Sequence, residues 1–124
     1  MPSTDAAFWC VVPAAGSGTR FGGGVPKQYL PLAGKPLLLH TLERLAAHPR
    51  IAGLMIALVA GDPHWPGLSS LHGKPVLTCI GGGERADSVL AGLRALAGKV
   101  ENDDFVLVHD AARPCVREDD ITRL

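Results

Sequence analysis

The chain has 124 residues, and its 12 lysines and arginines are balanced by 12 aspartates and glutamates. That length suits one domain, and zero net charge argues against an electrostatic nucleic-acid binder, which carries its positive excess on one face. Hydrophobic residues at 47% and charged ones at 19% exclude a disordered, self-repelling chain, while aromatics at 5% leave little material for base-stacking platforms.

From Met1 to Ala7 no basic stretch precedes an apolar one, so no secretory signal is read there. Phe8–Val12 (FWCVV) is a continuous apolar run rich in β-formers, the pattern of a strand buried on both faces. Pro36 then opens a helical stretch as its first residue, with Leu38, Leu42 and Leu45 on one face and Pro49 as its end. Leu54–Val59 reads as a second buried strand closed by the turn Gly61-Asp62-Pro63. The longest uncharged apolar run, residues 51–61, falls short of the roughly 20 residues a bilayer span requires. No membrane role is expected.

Residues 64–74 read as irregular, and Val76–Ile80 as a third strand running into three glycines. A second helix is predicted over Glu84–Leu96, with Val89, Leu93 and Leu96 inward and Gly98 as its stop. Phe105–Val108 forms a fourth strand, and the acidic Glu118-Asp119-Asp120 announces a further helix. With no C-cap before Leu124, the sequence reads as cut off within its domain. Continuous apolar strands alternating with helices predict an α/β fold: a Rossmann-like, mostly parallel sheet in a single domain, with helices on both faces. Cys10, Cys79 and Cys115 show no zinc-type spacing, and are read as small hydrophobes of a soluble cytoplasmic protein.

Ligands of such sheets bind beyond the carboxyl ends of the strands, and three of those ends carry distinctive residues. The first is Pro13-Ala14-Ala15-Gly16-Ser17-Gly18-Thr19-Arg20, continuing to Lys27. Its small residues let backbone amides approach an anion, and Arg20 and Lys27 supply fixed positive charge, as a polyphosphate requires. It fits neither the Walker pattern nor G-x-G-x-x-G, because this loop contains no Gly-Lys pair and Phe21 stands at the third glycine position. The second, Gly81-Gly82-Gly83-Glu84-Arg85-Ala86-Asp87-Ser88, is read either as a tight turn with a helix cap or as backbone reading a base edge, with the Ser88 hydroxyl as a further contact. The third is Asp110, followed by Ala111-Ala112-Arg113-Pro114; a carboxylate there suits Mg²⁺, although a capping role fits it too. Asp103 and Asp104 lie at the strand's other end and are read as solvated turn residues. His40 and His48 are read as helix residues, His64 and His72 as loop residues, and His109 as a packing residue at the site's border.

Together these stretches resemble the sugar-phosphate nucleotidyltransferases. Pro13 to Arg20 with Pro26-Lys27-Gln28-Tyr29, Gly81 to Val89 and Val108 to Pro114 are similar to the 2-C-methyl-D-erythritol 4-phosphate cytidylyltransferase family. The resemblance implies CTP and a sugar or polyol phosphate as substrates and Mg²⁺ as the metal. It assigns the nucleotide to Pro13, Ala14, Ala15, Gly16, Ser17, Gly18 and Thr19, to Gly82, Gly83 and Ser88, and to Ala111. Arg20 and Lys27 become the catalytic cations, Asp110 the metal-side carboxylate, and Asp110 with Arg113 the substrate contacts. The family's chain continues past the third motif, where it carries a dimerisation arm and a second metal-side carboxylate, so a homodimer is expected of the whole protein. Two alternatives share the loops: a cytidylyltransferase for another polyol phosphate such as ribitol 5-phosphate, and a non-catalytic CTP-binding module.

Overall fold

A computed structural model describes residues 8–15, 20–21, 25–97 and 106–111; for residues 20, 21 and 25 the description extends to the backbone alone. In chain order the elements are β1 (Phe8–Pro13), β2 (Arg20–Phe21), β3 (Val25–Pro26), a 3₁₀ turn (Lys27–Tyr29), β4 (Pro31–Leu32), β5 (Lys35–Pro36) and α1 (Leu37–Ala47). There follow β6 (Ile51–Leu58), β7 (Ser70–Leu71), β8 (Lys74–Ile80), α2 (Arg85–Leu96) and β9 (Val106–Val108). Gly98, Asp103, Asp104, Phe105, Cys115 and the acidic run at Glu118 lie outside the described residues.

Among the described residues five strands form one sheet in the order β7-β8-β6-β1-β9. The pairs β1–β6, β6–β8 and β1–β9 are parallel, and only the short β7 runs antiparallel to β8. The mostly parallel sheet is therefore as expected. β1 is apolar throughout because both its faces are covered. Phe8, Cys10 and Val12 pack into one cluster with Leu38, Leu42 and Leu45 of α1. Trp9 and Val11 alternate to the opposite face and join Leu96 of α2 and Met55 of β6. On that face Gly53 leaves room for the Trp9 indole, whose ring would stand 2.6 Å from a Cβ there. The ladder shifts register between Phe8 and Trp9, which pair with Ile51 and Gly53.

Strands β6 and β8 begin at Ile51 and Lys74, earlier than the sequence reading has them, and His48 caps α1 from outside the helix; the structure corrects that reading at three further places. Pro36 caps α1 at its extended ψ of 146° and is not the first helical residue, because it pairs with Pro31 in the β4–β5 hairpin. The segment read as irregular contains a second hairpin, β7–β8, turned by His72 and Gly73 at φ of 50° and 74°. Ala33 and Gly34 turn the first in the same way, at 51° and 83°. Two consecutive positive φ values match the twist of a tight hairpin, and neither turn carries the usual Asn-Gly or Asp-Gly pair. The third correction concerns α2, where Ser88, Gly92 and Leu96 are the buried residues. Val89 is half-buried and Leu93 is 40% exposed. Small residues face inward because α2 lies so close to β1 that a Cβ on Gly92 would meet Val11 Cγ1 at 2.5 Å.

Chain order across the sheet fixes where a ligand fits. From β1 the chain steps to β6 and then β8, and returns over α2 to place β9 on β1's other side. The reversal leaves a crevice at the carboxyl ends of β1 and β9, the topological switch point of this kind of sheet.

Candidate nucleotide site

At the switch point the three strand ends are joined by backbone hydrogen bonds. Ala14 N–H donates to the Ala57 carbonyl at 2.8 Å, Gly81 N–H to Leu58 at 2.8 Å, and His109 N–H to Val11 at 3.1 Å. Each bond extends a ladder one residue past its strand, so the loops leave the sheet at a common level. Ala14 and Ala15 are buried at 4% and 8% exposure, and form the floor of the first loop. Gly81 brings the second loop against them: a Cβ there would lie 2.6 Å from Ala15 Cβ and 2.5 Å from Ser88 Oγ. Only a residue without a side chain fits between these two groups.

Ser88 is 1% exposed, and its Oγ accepts the Gly82 N–H at 3.2 Å and stands 3.4 Å from the Gly82 carbonyl. The hydroxyl thus shapes the glycine loop from within. Behind it, Glu84 caps α2 and its N–H donates to Asp87 Oδ2 at 3.3 Å, which satisfies one helix-terminal donor and puts negative charge where the helix dipole favours it. Gly82 is half-buried and Gly83 exposed.

At the third strand end Asp110 is half-buried, and its Oδ1 accepts from Arg85 Nε at 2.7 Å, tying the second loop to the third. Ala111 is buried at 5%, its carbonyl 3.0 Å from the Thr41 hydroxyl of α1. Arg20 begins β2, where its backbone pairs with Pro26. Lys27 is exposed and opens the 3₁₀ turn. The side chain that follows it, Gln28, donates from Nε2 to the Ala14 carbonyl at 2.9 Å. The Gln28–Ala14 bond, the Gly81–Ala15 contact and the Arg85–Asp110 pair thus link the three strand ends, with Lys27 next in the chain to Gln28. Gly16, Ser17, Gly18, Thr19 and Arg113 lie outside the described residues.

Several contributors carried no assigned role in the sequence reading: Gln28, Tyr29, Asp62 and Arg85. Gln28, Tyr29 and Arg85 lie within the stretches that carry the family resemblance, and Asp62 reads as a turn aspartate whose Oδ1 accepts the His64 N–H at 2.9 Å. Among the described residues no cluster of three or more histidine, cysteine, aspartate or glutamate side chains could hold a metal. Asp110 alone suits an ion that takes most of its other ligands from substrate phosphates and water, as Mg²⁺ does. The cysteines are no substitute, since burial pushes the thiols of Cys10 and Cys79 up. An open hollow of about 360 Å³ lies beside Val59, Asp62, Trp65 and Ile80, and shares no residue with the three loops.

A parallel sheet with small-residue loops at its switch point, a cationic turn and a strand-end carboxylate defines a nucleotide-binding α/β domain of the nucleotidyltransferase type. Residues 8–124 match the family model of IspD, 2-C-methyl-D-erythritol 4-phosphate cytidylyltransferase, and the chain belongs to that family. The protein of that name from Xanthomonas campestris pv. campestris (strain 8004) is 61% identical over 118 residues, which is 95% of this chain and 44% of that protein. Its counterpart from Xylella fastidiosa (strain M23) is 60% identical over 116 residues, 94% of this chain and 50% of the relative. The crystal structure of the Francisella tularensis enzyme superposes with a TM-score of 0.70 at 33% identity, covering 92% of this chain and 48% of that one. The chain thus spans about half the length of the relatives it matches.

Proposed function

We propose that the whole protein transfers a cytidylyl group from CTP to 2-C-methyl-D-erythritol 4-phosphate, giving 4-diphosphocytidyl-2-C-methyl-D-erythritol and pyrophosphate, in isoprenoid biosynthesis. The observation that supports the reading is that the described parts of the three family motifs meet at one switch-point crevice, through the contact at Gly81 and the bonds of Ser88, Gln28 and Arg85.

An oxygen of the acceptor's phosphate attacks the α-phosphorus of CTP. A new P–O bond forms as the bond to the β-phosphate's bridging oxygen breaks, and pyrophosphate leaves with that electron pair. A phosphate monoester has its second pKa near about 6, so the nucleophile is already mostly dianionic at neutral pH and needs no general base. The protein's work is to bring two anions together and offset charge as it grows in the transition state. Lys27 and Arg20 supply cations at the first loop, and the amides of residues 14–19 cradle the triphosphate. The Gly82–Gly83 backbone, shaped by Ser88, reads the cytosine edge, and the family resemblance assigns Ala111 to the nucleotide and Arg113 to the acceptor. Mg²⁺, held by Asp110, would supply further neutralisation of the phosphates. For Asp110 to bind it, the Arg85 guanidinium must share or yield the carboxylate. The enzyme works as a cytoplasmic homodimer, where CTP is available, and light scattering on the full-length protein reports its mass directly.

Pyrophosphate release from CTP and Mg²⁺ tests the reading, using the full-length gene product with methylerythritol phosphate and ribitol 5-phosphate in separate reactions. Release with methylerythritol phosphate alone is expected. Release with ribitol 5-phosphate alone would reassign the acceptor, and CTP binding without release from either would make the protein a binding module.

A further inference from the structure

Lys27 stands on very little scaffold. Its turn, Lys27–Tyr29, is three residues long and is closed by the Leu30 N–H donating to the Lys27 carbonyl at 3.1 Å. So short a turn cannot hold its own geometry, because helical nucleation fixes several dihedrals for each bond it forms. The preceding Pro26 makes no side-chain capping bond. Backbone bonds hold its flanks, through the pairing of Pro26 before it and the Leu37 N–H donating to the Leu30 carbonyl at 2.9 Å after it, and the two side chains that follow Lys27 are both anchored to distant parts of the chain.

Gln28 reaches back to the Ala14 carbonyl at 2.9 Å, on the floor of the first loop. Tyr29 reaches the other way. Its ring is buried at 7% exposure among the α1-side core, and its hydroxyl donates to Asp62 Oδ2 at 2.7 Å, in the segment after β6. Asp62 is held in turn, its N–H donating to the Val59 carbonyl at 3.1 Å and its Oδ1 accepting from His64 N–H at 2.9 Å. The His64 ring packs on Tyr29 with centroids 5.0 Å apart. Burial first, and the Asp62 carboxylate second, push the Tyr29 phenol well above its ordinary value, so it remains a donor throughout the working pH range. One anchor is fixed to the nucleotide floor and the other to the β6–β7 segment. Together they add two side-chain anchors within a turn whose flanks are held by backbone bonds.

We propose that Gln28 and Tyr29, with Asp62 behind Tyr29, are positioning residues that set where the Lys27 ammonium stands over the triphosphate. This rests on the reading of Lys27 as a charge-stabilising cation. Neither residue is assigned a contact with the reacting atoms; each acts through Lys27. Misplacing a reacting or stabilising group by about 1 Å costs on the order of 10²-fold in rate, so loosening the clamp is read in kcat.

The test uses the full-length protein with Tyr29→Phe, which keeps the ring and removes the anchor, and Gln28→Ala, each alone and combined with Lys27→Ala. Each single change is expected to lower kcat by about 10- to 100-fold while KM for CTP stays within about threefold. In the Lys27→Ala background each is expected to cost less than about twofold more, because the cation it positions is gone. Hydrogen exchange at the Leu30 amide, which closes the Lys27 turn, is expected to accelerate in both single variants. A purely structural role would lower kcat equally in both backgrounds, and that additivity overturns the proposal. So does wild-type kcat with unchanged Leu30 exchange. Should the wild type release no pyrophosphate, the functional reading falls by itself. Leu30 exchange then decides the clamp, with acceleration supporting it and no change overturning it. Either variant alone suffices if the other fails to fold.

Discussion

Gly81→Ala adds one methyl group at the contact between the first and second loops. Its Cβ would stand 2.6 Å from Ala15 Cβ and 2.5 Å from Ser88 Oγ. Carbon atoms rest at about 3.5–4.0 Å, so roughly 1 Å of separation must be found. Ala15 has no rotamer with which to retreat, and its loop is tied to β6 through the Ala14–Ala57 bond. Ser88 Oγ can rotate away only by releasing Gly82 N–H at 3.2 Å, a loss of about 0.5–1.5 kcal/mol. Overpacking adds about 1–3 kcal/mol. The lower entropy of an unfolded alanine returns about 0.4–1 kcal/mol, leaving a net destabilisation of about 0.5–4 kcal/mol. Urea unfolding of the full-length protein measures this, and calorimetry with CTP measures the accompanying loss of affinity as the two loops are wedged apart. Stability within about 0.5 kcal/mol of wild type, with unchanged CTP affinity, would refute the claim that this contact is closed.

Gly92→Ala tests the other close approach, since its Cβ would meet Val11 Cγ1 at 2.5 Å. Helix propensity favours alanine by about 1 kcal/mol, so a net loss of stability by urea melt identifies the α2–β1 contact as the stronger term, and a net gain refutes it. Lys27→Ala and Arg20→Ala are each expected to lower kcat by at least about 10²-fold, with near-wild-type turnover excluding a charge-stabilising role. The buried Cys10 thiol and Tyr29 phenol both have raised pKa values, so stability is full at neutral pH. It declines above about pH 9, where an unfolded thiol ionises and the buried one does not, by up to about 1.4 kcal/mol per pH unit per group. Urea midpoints from pH 7 to 10.5 check the sign, and a rise with pH would contradict it. Thiol labelling of the native protein is expected to reach Cys79, which is half-buried, before Cys10, whose side chain is sealed between β1 and α1.

The frame was legible in the sequence wherever burial is two-sided. β1 and β6 announce themselves as unbroken apolar runs, and α1 by leucines at helical spacing, because large side chains fill large gaps there. α2 was misread on its inward face for the opposite reason. Where helix and strand nearly touch, Ser88 and Gly92 occupy the interior, and leucines such as Leu90 and Leu93 are left outside at 46% and 40% exposure. Hydrophobic periodicity cannot see a contact made by the absence of a side chain. The hairpins at Ala33-Gly34 and His72-Gly73 escaped notice because residues other than glycine, at φ of 51° and 50°, carry half of each turn. The site's three loops were legible from their glycines and charges. Their mutual supports were not, because Gln28 meets Ala14, Tyr29 meets Asp62 and Arg85 meets Asp110 across long separations in the chain.

The reversed strand order also sets a timetable for synthesis. β1 leaves the ribosome early and finds β6 as its first partner, but its other edge, Trp9 to Val11, is matched by Val106 to Val108, nearly a hundred residues later. Until those residues emerge, a strand apolar on both faces presents an open edge to any other chain nearby. Non-local pairing of this kind closes slowly and leaves such edges prone to aggregation. A nascent chain halted after α2 is thus the most vulnerable form of the molecule, with β1 half-paired and the switch-point crevice not yet built.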